Sequence, residues 1–217
     1  MSSRRYVHAL GYRWLNRLYD PLIRLTMAER QFKEQLLTQA SVSPSMRVLD
    51  VGCGTGTLLL QAAARGVKRP IGLDGDVEIL RLARGKVQHN IAAAGLVAGL
   101  STAMPFPAQQ FDRAFSTLML HHLDDSEKLA TLSEIRRVLP AEGELHIADW
   151  GRPHTRLMRL AARLVSAFDG RDVTRANLEG RIPDLCRQAG FSEVQLRAER
   201  ATPFGTLAFY RARKGVR

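Results

Sequence analysis

The sequence predicts an α/β fold built on a seven-stranded, mostly parallel sheet with an antiparallel last strand. From residue 47 onward, short apolar runs alternate with helical stretches, as in proteins whose parallel strands are joined by helices. Near the C-terminus two runs follow each other without a helix between them, which predicts an antiparallel pair. The predicted strands are Arg47–Val51, Ile71–Asp74, Leu96–Leu100, Asp112–Thr117, Glu144–Asp149, Ser192–Glu199 and Thr206–Arg213.

Helical periodicity fills most of the segments between these strands. The predicted helices cover residues 57–65, 76–85, 126–139 and 178–189, and Gly66, Pro140 and Gly190 mark three of their ends. The first forty residues are predicted to form a helical cap in front of the main domain, residues 41–217. A further helix at about 153–168 lies in a predicted lid insertion, residues 152–177, after the fifth strand.

Composition places the chain among globular proteins, and its charge is unusual. Of its 217 residues, 45% are hydrophobic and 24% charged, which excludes a disordered tail and a disulfide-dense mini-protein. The formal net charge of +11 divides into +4 for residues 1–40, −1 for 41–150 and +8 for 151–217. The basic flanks favour nucleic acid, an anionic membrane surface or an acidic substrate as partner. Because only five of the 32 basic residues are Lys, an Arg-rich residue usage explains the surplus equally well.

Cysteine and histidine usage points to a reducing compartment and to no metal site. The two cysteines, Cys53 and Cys186, form no CxxC pair, and the histidines outside the pair at 121–122 are scattered without ligand spacing. The N-terminal residues show no apolar secretory core. We therefore expect a cytoplasmic protein without a disulfide or a metal.

The sharpest local feature is a strand that runs directly into glycines and then into a helix. Residues 48–56 read VLDVGCGTG, so Gly52, Gly54 and Gly56 follow the first strand at GxGxG spacing. Glycines there allow a ligand to approach the backbone closely, although they also serve in an ordinary tight turn. The second strand ends in Asp74, whose carboxylate is placed to accept the two hydroxyls of a ribose. Strand, glycine loop, helix and acidic strand end together predict a Rossmann-like nucleotide or cofactor site.

These residues carry a family resemblance. The segments VLDVGCGTG, GLDGD, AMPFPAQQFD, STLMLHHL and RRVLPAEGELHIAD resemble class I S-adenosylmethionine (SAM)-dependent methyltransferases, most closely the ubiquinone/menaquinone-biosynthesis type. The resemblance covers about residues 47–150 and the terminal strand pair. It implies SAM as cofactor, with the methionine end along the glycine loop and Cys53, ribose at Asp74, and Asp50 supporting the loop and the amino group. Ser116 falls where the family's backbone faces the cofactor.

Two departures from the family pattern concern the adenine end. The family usually has Asp-Ala where this chain has Leu100-Ser101, and that Asp holds the adenine amino group. The resemblance then implies that backbone groups, Ser101 or apolar packing around Met104 hold the adenine. The residue after Asp74 is Gly75 instead of a bulky one, which weakens one contact to the adenine face. Tyr19 and Lys33, in the predicted cap, are candidates for closing over the cofactor or binding its carboxylate.

Three residues at the ends of the fourth and fifth strands are candidate catalytic groups. Methyl transfer needs a general base only where the acceptor must lose a proton. His121, His122 and Asp149 lie at carboxyl ends of predicted strands, where open α/β sheets bind ligands. The alternatives are one buried and one exposed structural histidine, and an aspartate that caps the following helix.

The basic flanks bear on the acceptor. Arg152, Arg156, Arg159 and Arg163 recur at helical spacing beside an apolar stripe in the predicted lid, and the N-terminal segment has a similar pattern. Such a lid suits a lipid-like acceptor at an anionic membrane, for example a quinone precursor or a phospholipid headgroup. Alternatively, it binds a soluble anionic metabolite or is an ordinary solvated helix. An RNA-directed methyltransferase is disfavoured because no nucleic-acid-binding module flanks the core. A non-catalytic SAM- or nucleotide-binding protein is the other alternative, and the oligomeric state is left open.

Overall fold

The computed structural model describes residues 29–88, 94–155, 158–159 and 171–215. Within these residues the helices are α1 Glu29–Gln39, α2 Thr57–Ala64, α3 Val77–Gln88, α4 Asp125–Val138, α5 Arg171–Leu178 and α6 Ile182–Gln188, with a 3-10 turn at Leu120–His122. The strands are β1 Val48–Val51, β2 Ile71–Asp74, β3 Gly95–Ala98, β4 Arg113–Thr117, β5 Glu144–Trp150, β6 Ser192–Thr202 and β7 Gly205–Arg213.

The seven strands form one sheet in the order β3-β2-β1-β4-β5-β7-β6. Strands β1 to β5 pair in parallel, and β7 lies antiparallel between β5 and β6. The predicted fold class, a Rossmann-like and mostly parallel sheet with an antiparallel last strand, is confirmed. Because β1 lies between β2 and β4, the glycine loop emerges near the middle of the edge formed by the strands' carboxyl ends.

The helix predicted at 178–189 corresponds to α6, which begins later than predicted, at Ile182, and ends before Gly190. A separate helix, α5, precedes it, and Gly180 with a φ of 75° lies between the two. A positive φ ends the first helix, and Pro183 in the first turn of the second needs no hydrogen-bond acceptor for a backbone N–H. Strand β3 also lies slightly earlier than predicted. Residues 1–28 of the predicted cap and most of the helix predicted at 153–168 lie outside the described residues.

The sheet is covered on both faces, as the apolar runs in its strands require. On one face, Phe32, Leu36 and Leu37 of α1 pack with Leu58 of α2 against a cluster that includes Phe115 and Phe209. On the other face, α4 and α6 bury residues such as Leu132, Ile135 and Leu185 against Val51 and Ile147. Helix α1 thereby brings Lys33 to the sheet beneath the glycine loop.

Helix α4 begins directly after the 3-10 turn, and its start is well defined. The Asp124 carboxylate accepts a hydrogen bond from the backbone of Glu127, and the Glu127 carboxylate accepts one from the backbone of Asp124. Such a capping box satisfies two N–H groups that the first helical turn leaves unpaired. It fixes where the loop after β4 ends. Among the described residues, no helix combines the length and the apolar character needed to cross a bilayer.

Candidate active site

The glycine loop leaves an open space above β1. Gly52, Gly54 and Gly56 have φ values of 72°, 54° and 74°, a region that favours glycine. A Cβ at Gly52 would lie 2.4 Å from Cγ of Met119, and one at Gly56 would lie 2.7 Å from a methyl of Val87. A Cβ at Gly54 would meet no protein atom within 4 Å. The outer glycines therefore allow close packing, whereas Gly54 faces the space that a ligand would occupy.

Asp74 lies beside this space at the end of β2. Its Oδ2 accepts a hydrogen bond from the backbone N–H of Gly54 at 2.9 Å, and its Oδ1 accepts one from Asp76 at 2.9 Å. Burial raises the pKa of Asp74, and these backbone N–H donors oppose the rise. Each carboxylate oxygen has a second lone pair for an incoming hydroxyl. Gly75, the next residue, is exposed.

Asp50 is the most unusual group under the loop. It is fully buried, and neither carboxylate oxygen has a hydrogen-bond partner. Burial raises its pKa to about 7, and the ammonium group of Lys33 opposes that rise. Lys33 itself is buried and donates to Glu29 at 2.8 Å. Buried carboxylate oxygens without partners are rare in folded proteins and fit a site that receives a cationic or hydrogen-donating ligand.

Cys53 and Ser116 are both buried next to the loop. Burial raises the pKa of the Cys53 thiol, whose Sγ packs against Gly72, 2.7 Å from the position of an added Cβ there. Such a thiol is protonated and is not a nucleophile. Ser116 pairs in register with Val51 of β1, and its hydroxyl has no hydrogen-bond partner.

Ser101 and Met104 are hydrogen-bonded to side chains of α4. The Ser101 hydroxyl lies 2.8 Å from the Thr131 hydroxyl, and Met104 is buried in the core while its N–H donates to Glu134 at 2.7 Å. Arg137 donates to Glu134 and to the backbone carbonyls of Met104 and Phe106. The sequence reasoning missed these α4 residues. In the sequence these α4 residues lie three positions apart, but that spacing predicts only contacts among them within the helix and none to the loop.

The structure brings His121 and Asp149 together at the ends of β4 and β5. Nδ1 of His121 lies 2.7 Å from Oδ1 of Asp149, and both side chains are buried. Burial raises the pKa of Asp149, but His121 and the hydrogen bonds outweigh it, so the net shift is downward and Asp149 is ionised. The ring of His122 lies 3.9 Å from that of His121, and burial together with His121 lowers its pKa to about 3.

Asp149 also holds the turn that carries these histidines. Its Oδ2 accepts hydrogen bonds from the N–H groups of Met119 at 3.2 Å and Leu120 at 2.9 Å. The turn is entered through Leu118, whose φ of 49° is unusual for a residue with a side chain. Within the described residues Asp149 caps no following helix, and its remaining hydrogen bond is to the N–H of Trp150. Met119 also packs against Gly52, so it links the His121–Asp149 pair to the glycine loop.

Helix α5 covers the 3-10 turn, and a buried lysine ties the two together. The Lys128 ammonium donates to the carbonyls of Leu123, at the end of the turn, and Val173, in α5. The sequence reasoning missed Lys128 too. Tyr19, Arg156 and Arg163 lie outside the described residues. Within the part of the chain that the structure describes, no three His, Cys, Asp or Glu residues are grouped as metal ligands.

These residues fit SAM. The open space at Gly54 admits a ligand against the backbone, Asp74 offers acceptors for a ribose, and the unpartnered oxygens of Asp50 suit an ammonium group.

Comparisons with known proteins agree with this fit. The family described as "Methyltransferase domain" matches residues 48–143. An uncharacterized methyltransferase of Synechocystis is 26% identical over 185 residues, 85% of this chain and 85% of the relative. The ubiquinone/menaquinone biosynthesis C-methyltransferase of Bordetella avium is 30% identical over 160 residues, 70% of this chain and 57% of the relative. The chain thus spans little more than half the length of that curated relative.

A solved structure shows the same fold. The crystal structure of a SAM-dependent methyltransferase from Aquifex aeolicus matches with a TM-score of 0.63 and 21% sequence identity, over 83% of this chain and 88% of that chain. Fold, site and comparisons together define the class: the chain is a class I SAM-dependent methyltransferase, and SAM is its methyl donor. Within that class it is similar to the ubiquinone/menaquinone-biosynthesis methyltransferases.

Proposed function

We propose that this methyltransferase acts on a small aromatic acceptor of the quinone-precursor type and that His121 removes the acceptor's proton. The observation that carries the proposal is the buried hydrogen bond of 2.7 Å between His121 and Asp149. Similarity to the ubiquinone/menaquinone biosynthesis C-methyltransferase of Bordetella avium supports the acceptor class. A hydroquinone ring carries phenolic hydroxyls, which have a pKa near 10 and stay protonated at neutral pH without a base.

SAM supplies a methyl group on a sulfonium, which is already activated for displacement. The chain therefore aligns the acceptor, excludes water and accepts a proton. As the acceptor gains the methyl group, the carbon–sulfur bond breaks and the acceptor's proton passes to Nε2 of His121. Asp149, ionised and hydrogen-bonded to Nδ1, orients the imidazole and stabilises the cation that forms. His122, neutral because its pKa is about 3, adds no competing charge.

The remaining predicted site residues are assigned to the methyl donor. Gly52, Gly54 and Gly56, with Cys53 between them, line its methionine end, and Asp74 holds the ribose. Asp50 and Lys33 lie beneath the amino-acid end, where an ammonium would meet Asp50 and a carboxylate would meet Lys33. Ser116 offers a hydroxyl at the end of β4. Tyr19 is proposed to close over the same end.

The two flanking segments are proposed to form the acceptor's entrance. Residues 1–40 are assigned as a cap and residues 152–177 as a lid on the main domain, 41–217. The packing of α5 on the 3-10 turn supports a lid at this place. The charge of +8 on residues 151–217 favours an anionic membrane that delivers a lipid-like acceptor, which would make the protein cytoplasmic and peripheral. Co-sedimentation with anionic but not zwitterionic vesicles tests this; equal pelleting with both contradicts it.

The acceptor is tested by transfer of labelled methyl groups from SAM. Quinone precursors, phospholipids with amine headgroups, small carboxylic acids and RNA are compared at equal concentration. We expect transfer to the quinone precursors. Transfer to any other class alone would assign the activity to that class, and binding of S-adenosylhomocysteine (SAH) without transfer to any acceptor would indicate a non-catalytic SAM-binding protein.

The base is tested by His121→Gln. A positioned general base contributes about 10²–10⁴-fold, so we expect kcat to fall by at least about 100-fold with an unchanged Kd for SAH. The matched control is His146→Gln, because His146 also pairs with a carboxylate, that of Glu144 at 3.1 Å, but near the start of β5. If His121→Gln and His146→Gln retain equal activity, the proposed base is wrong.

A further inference from the structure

The chain leaves β3 through residues 99–106, the β3 loop. This loop begins next to the proposed ribose site, since the N–H of Gly99 donates to the carbonyl oxygen of Asp74 at 3.0 Å. The carboxyl ends of parallel strands meet at one edge of a sheet, so the β3 loop borders the same cleft as Gly54.

The direction in which a bound nucleoside extends follows from the order of the strands. The pair formed by His121 and Asp149 lies at the ends of β4 and β5, on one side of β1. Asp74 and the β3 loop lie on the other side of β1. With the methyl group facing His121 and the ribose at Asp74, the base of SAM extends toward the β3 loop.

Apolar packing holds this loop only at its far end, where Met104 is buried and Phe106 packs edge-on against Phe111. Gly99 to Ala103 lie at least partly in solvent. Loops with so few buried contacts open easily unless other interactions restrain them. The near end of the β3 loop is restrained by α4, the helix that begins directly after the 3-10 turn.

Three α4 side chains at three-residue intervals bind the β3 loop. The hydroxyl of Thr131, which is fully buried, lies 2.8 Å from that of Ser101. One carboxylate oxygen of Glu134 accepts the N–H of Met104 at 2.7 Å. Arg137 donates to the carbonyls of Phe106 at 2.8 Å and Met104 at 3.1 Å.

Glu134 and Arg137 also fix each other. Nε of Arg137 donates to one oxygen of Glu134 at 2.7 Å, and a terminal nitrogen donates to the other at 2.8 Å. Bidentate pairs of this kind are stronger and more directional than a single hydrogen bond. The pair therefore presents an acceptor and two donors to the loop backbone in one rigid unit.

We propose that Thr131, Glu134 and Arg137 are positioning residues for the nucleoside half of SAM and act by holding the β3 loop in its binding shape. None of the three needs to touch the cofactor, because their polar atoms are bonded to the loop itself. This role rests on the placement of SAM proposed above, and it does not depend on which acceptor the enzyme uses.

The test measures ligand binding in variants with matched controls. Thr131→Val keeps the shape of the side chain but removes the hydroxyl, whereas Thr131→Ser keeps the hydroxyl. Arg137→Met removes both contacts to the loop carbonyls. Asp184→Asn is the control for an ion pair, since Asp184 pairs with Arg187 at the same spacing on the exposed face of α6. Calorimetry gives Kd for SAH and for 5′-methylthioadenosine, which has the nucleoside but no amino-acid end.

We expect Thr131→Val to raise both Kd values about three- to tenfold and Arg137→Met to raise them at least about tenfold. Thr131→Ser and Asp184→Asn should stay within about twofold of the unmodified protein. Unchanged Kd values in folded Thr131→Val would overturn the proposal. A loss confined to SAH would also overturn it, because the effect would then lie at the amino-acid end. If Arg137→Met does not fold, the two Thr131 variants decide the matter.

Discussion

Replacing Gly54 by alanine would separate the strain of the glycine loop from the space that it leaves for the cofactor. Gly54 has a φ of 54°, and an added Cβ would meet no protein atom within 4 Å. Gly180, between α5 and α6, provides a matched control. Its φ is 75°, and the nearest atom to an added Cβ, on Arg152, lies 3.7 Å away. Both positions therefore accept a methyl group without a clash inside the protein.

The expected magnitudes follow from this comparison. An alanine in the left-handed region costs roughly 1–2 kcal/mol, so both variants should lose about that much stability. For a domain of this size, the loss corresponds to a fall in Tm of about 2–8 °C. Only Gly54→Ala should weaken SAH binding. Forcing an extra methyl group into a packed contact costs about 1–3 kcal/mol, so we expect Kd to rise about 10- to 100-fold.

The assay combines thermal unfolding without ligand and calorimetric titration with SAH for both variants. Equal losses of Tm with a Kd change only in Gly54→Ala would support the placement of SAM against the loop. Gly54→Ala binding SAH as tightly as Gly180→Ala would refute it, because the open space at Gly54 would then not be the cofactor site.

Three further predictions concern buried charges. Burial holds the pKa of Asp50 at about 7, above its ordinary 3.8, so the folded state loses stability as the pH rises through 7. Asp50→Asn should therefore raise the free energy of unfolding by about 2–4 kcal/mol at pH 8 but by little at pH 4, as urea titration can check. Glu144 behaves oppositely. Burial raises the pKa of Glu144, but hydrogen bonds with His146 and Arg211 lower it by more, so the net pKa lies below the ordinary 4.5. Glu144→Gln should therefore lower the free energy of unfolding at pH 7, and the difference from the unmodified protein should shrink as the pH falls below 4.5. Lys128→Met removes the donor that joins the partly buried carbonyls of Leu123 and Val173. We therefore expect a loss of about 1–3 kcal/mol and a higher KM for the acceptor at an unchanged Kd for SAH; a parallel rise of that Kd would contradict the role assigned to Lys128.

Much of the fold could be predicted because its signals are local. The alternation of apolar runs and helices depends on residues a few positions apart, and the predicted sheet matches the observed one in class and in the sense of its last strand. The late start of the helix predicted at 178–189 is also local in origin. The chain turns at Gly180 with a positive φ, so α6 begins only at Ile182.

Some residues of the candidate site could likewise be predicted from the sequence, whereas the contacts between them could not. The glycine loop and Asp74 stand out in the sequence because each follows directly from a strand end. The hydrogen bond between Gly54 and Asp74 joins residues 20 positions apart, and that between His121 and Asp149 joins residues 28 apart. The contacts from α4 to the β3 loop span 30 to 33 residues. Helical and strand periodicity in the sequence do not reveal pairs so far apart.

The sequence by itself determined the order of helices and strands, the glycine loop and the acidic end of β2, because these depend on short-range backbone preferences and apolar patterning. Only the tertiary structure decided which polar groups meet. It buried Asp50 without a partner, joined His121 to Asp149, and held the β3 loop by α4. The physical reason is that a buried polar group must find its partner in space, and the sheet brings together strand ends and loops that lie far apart along the chain.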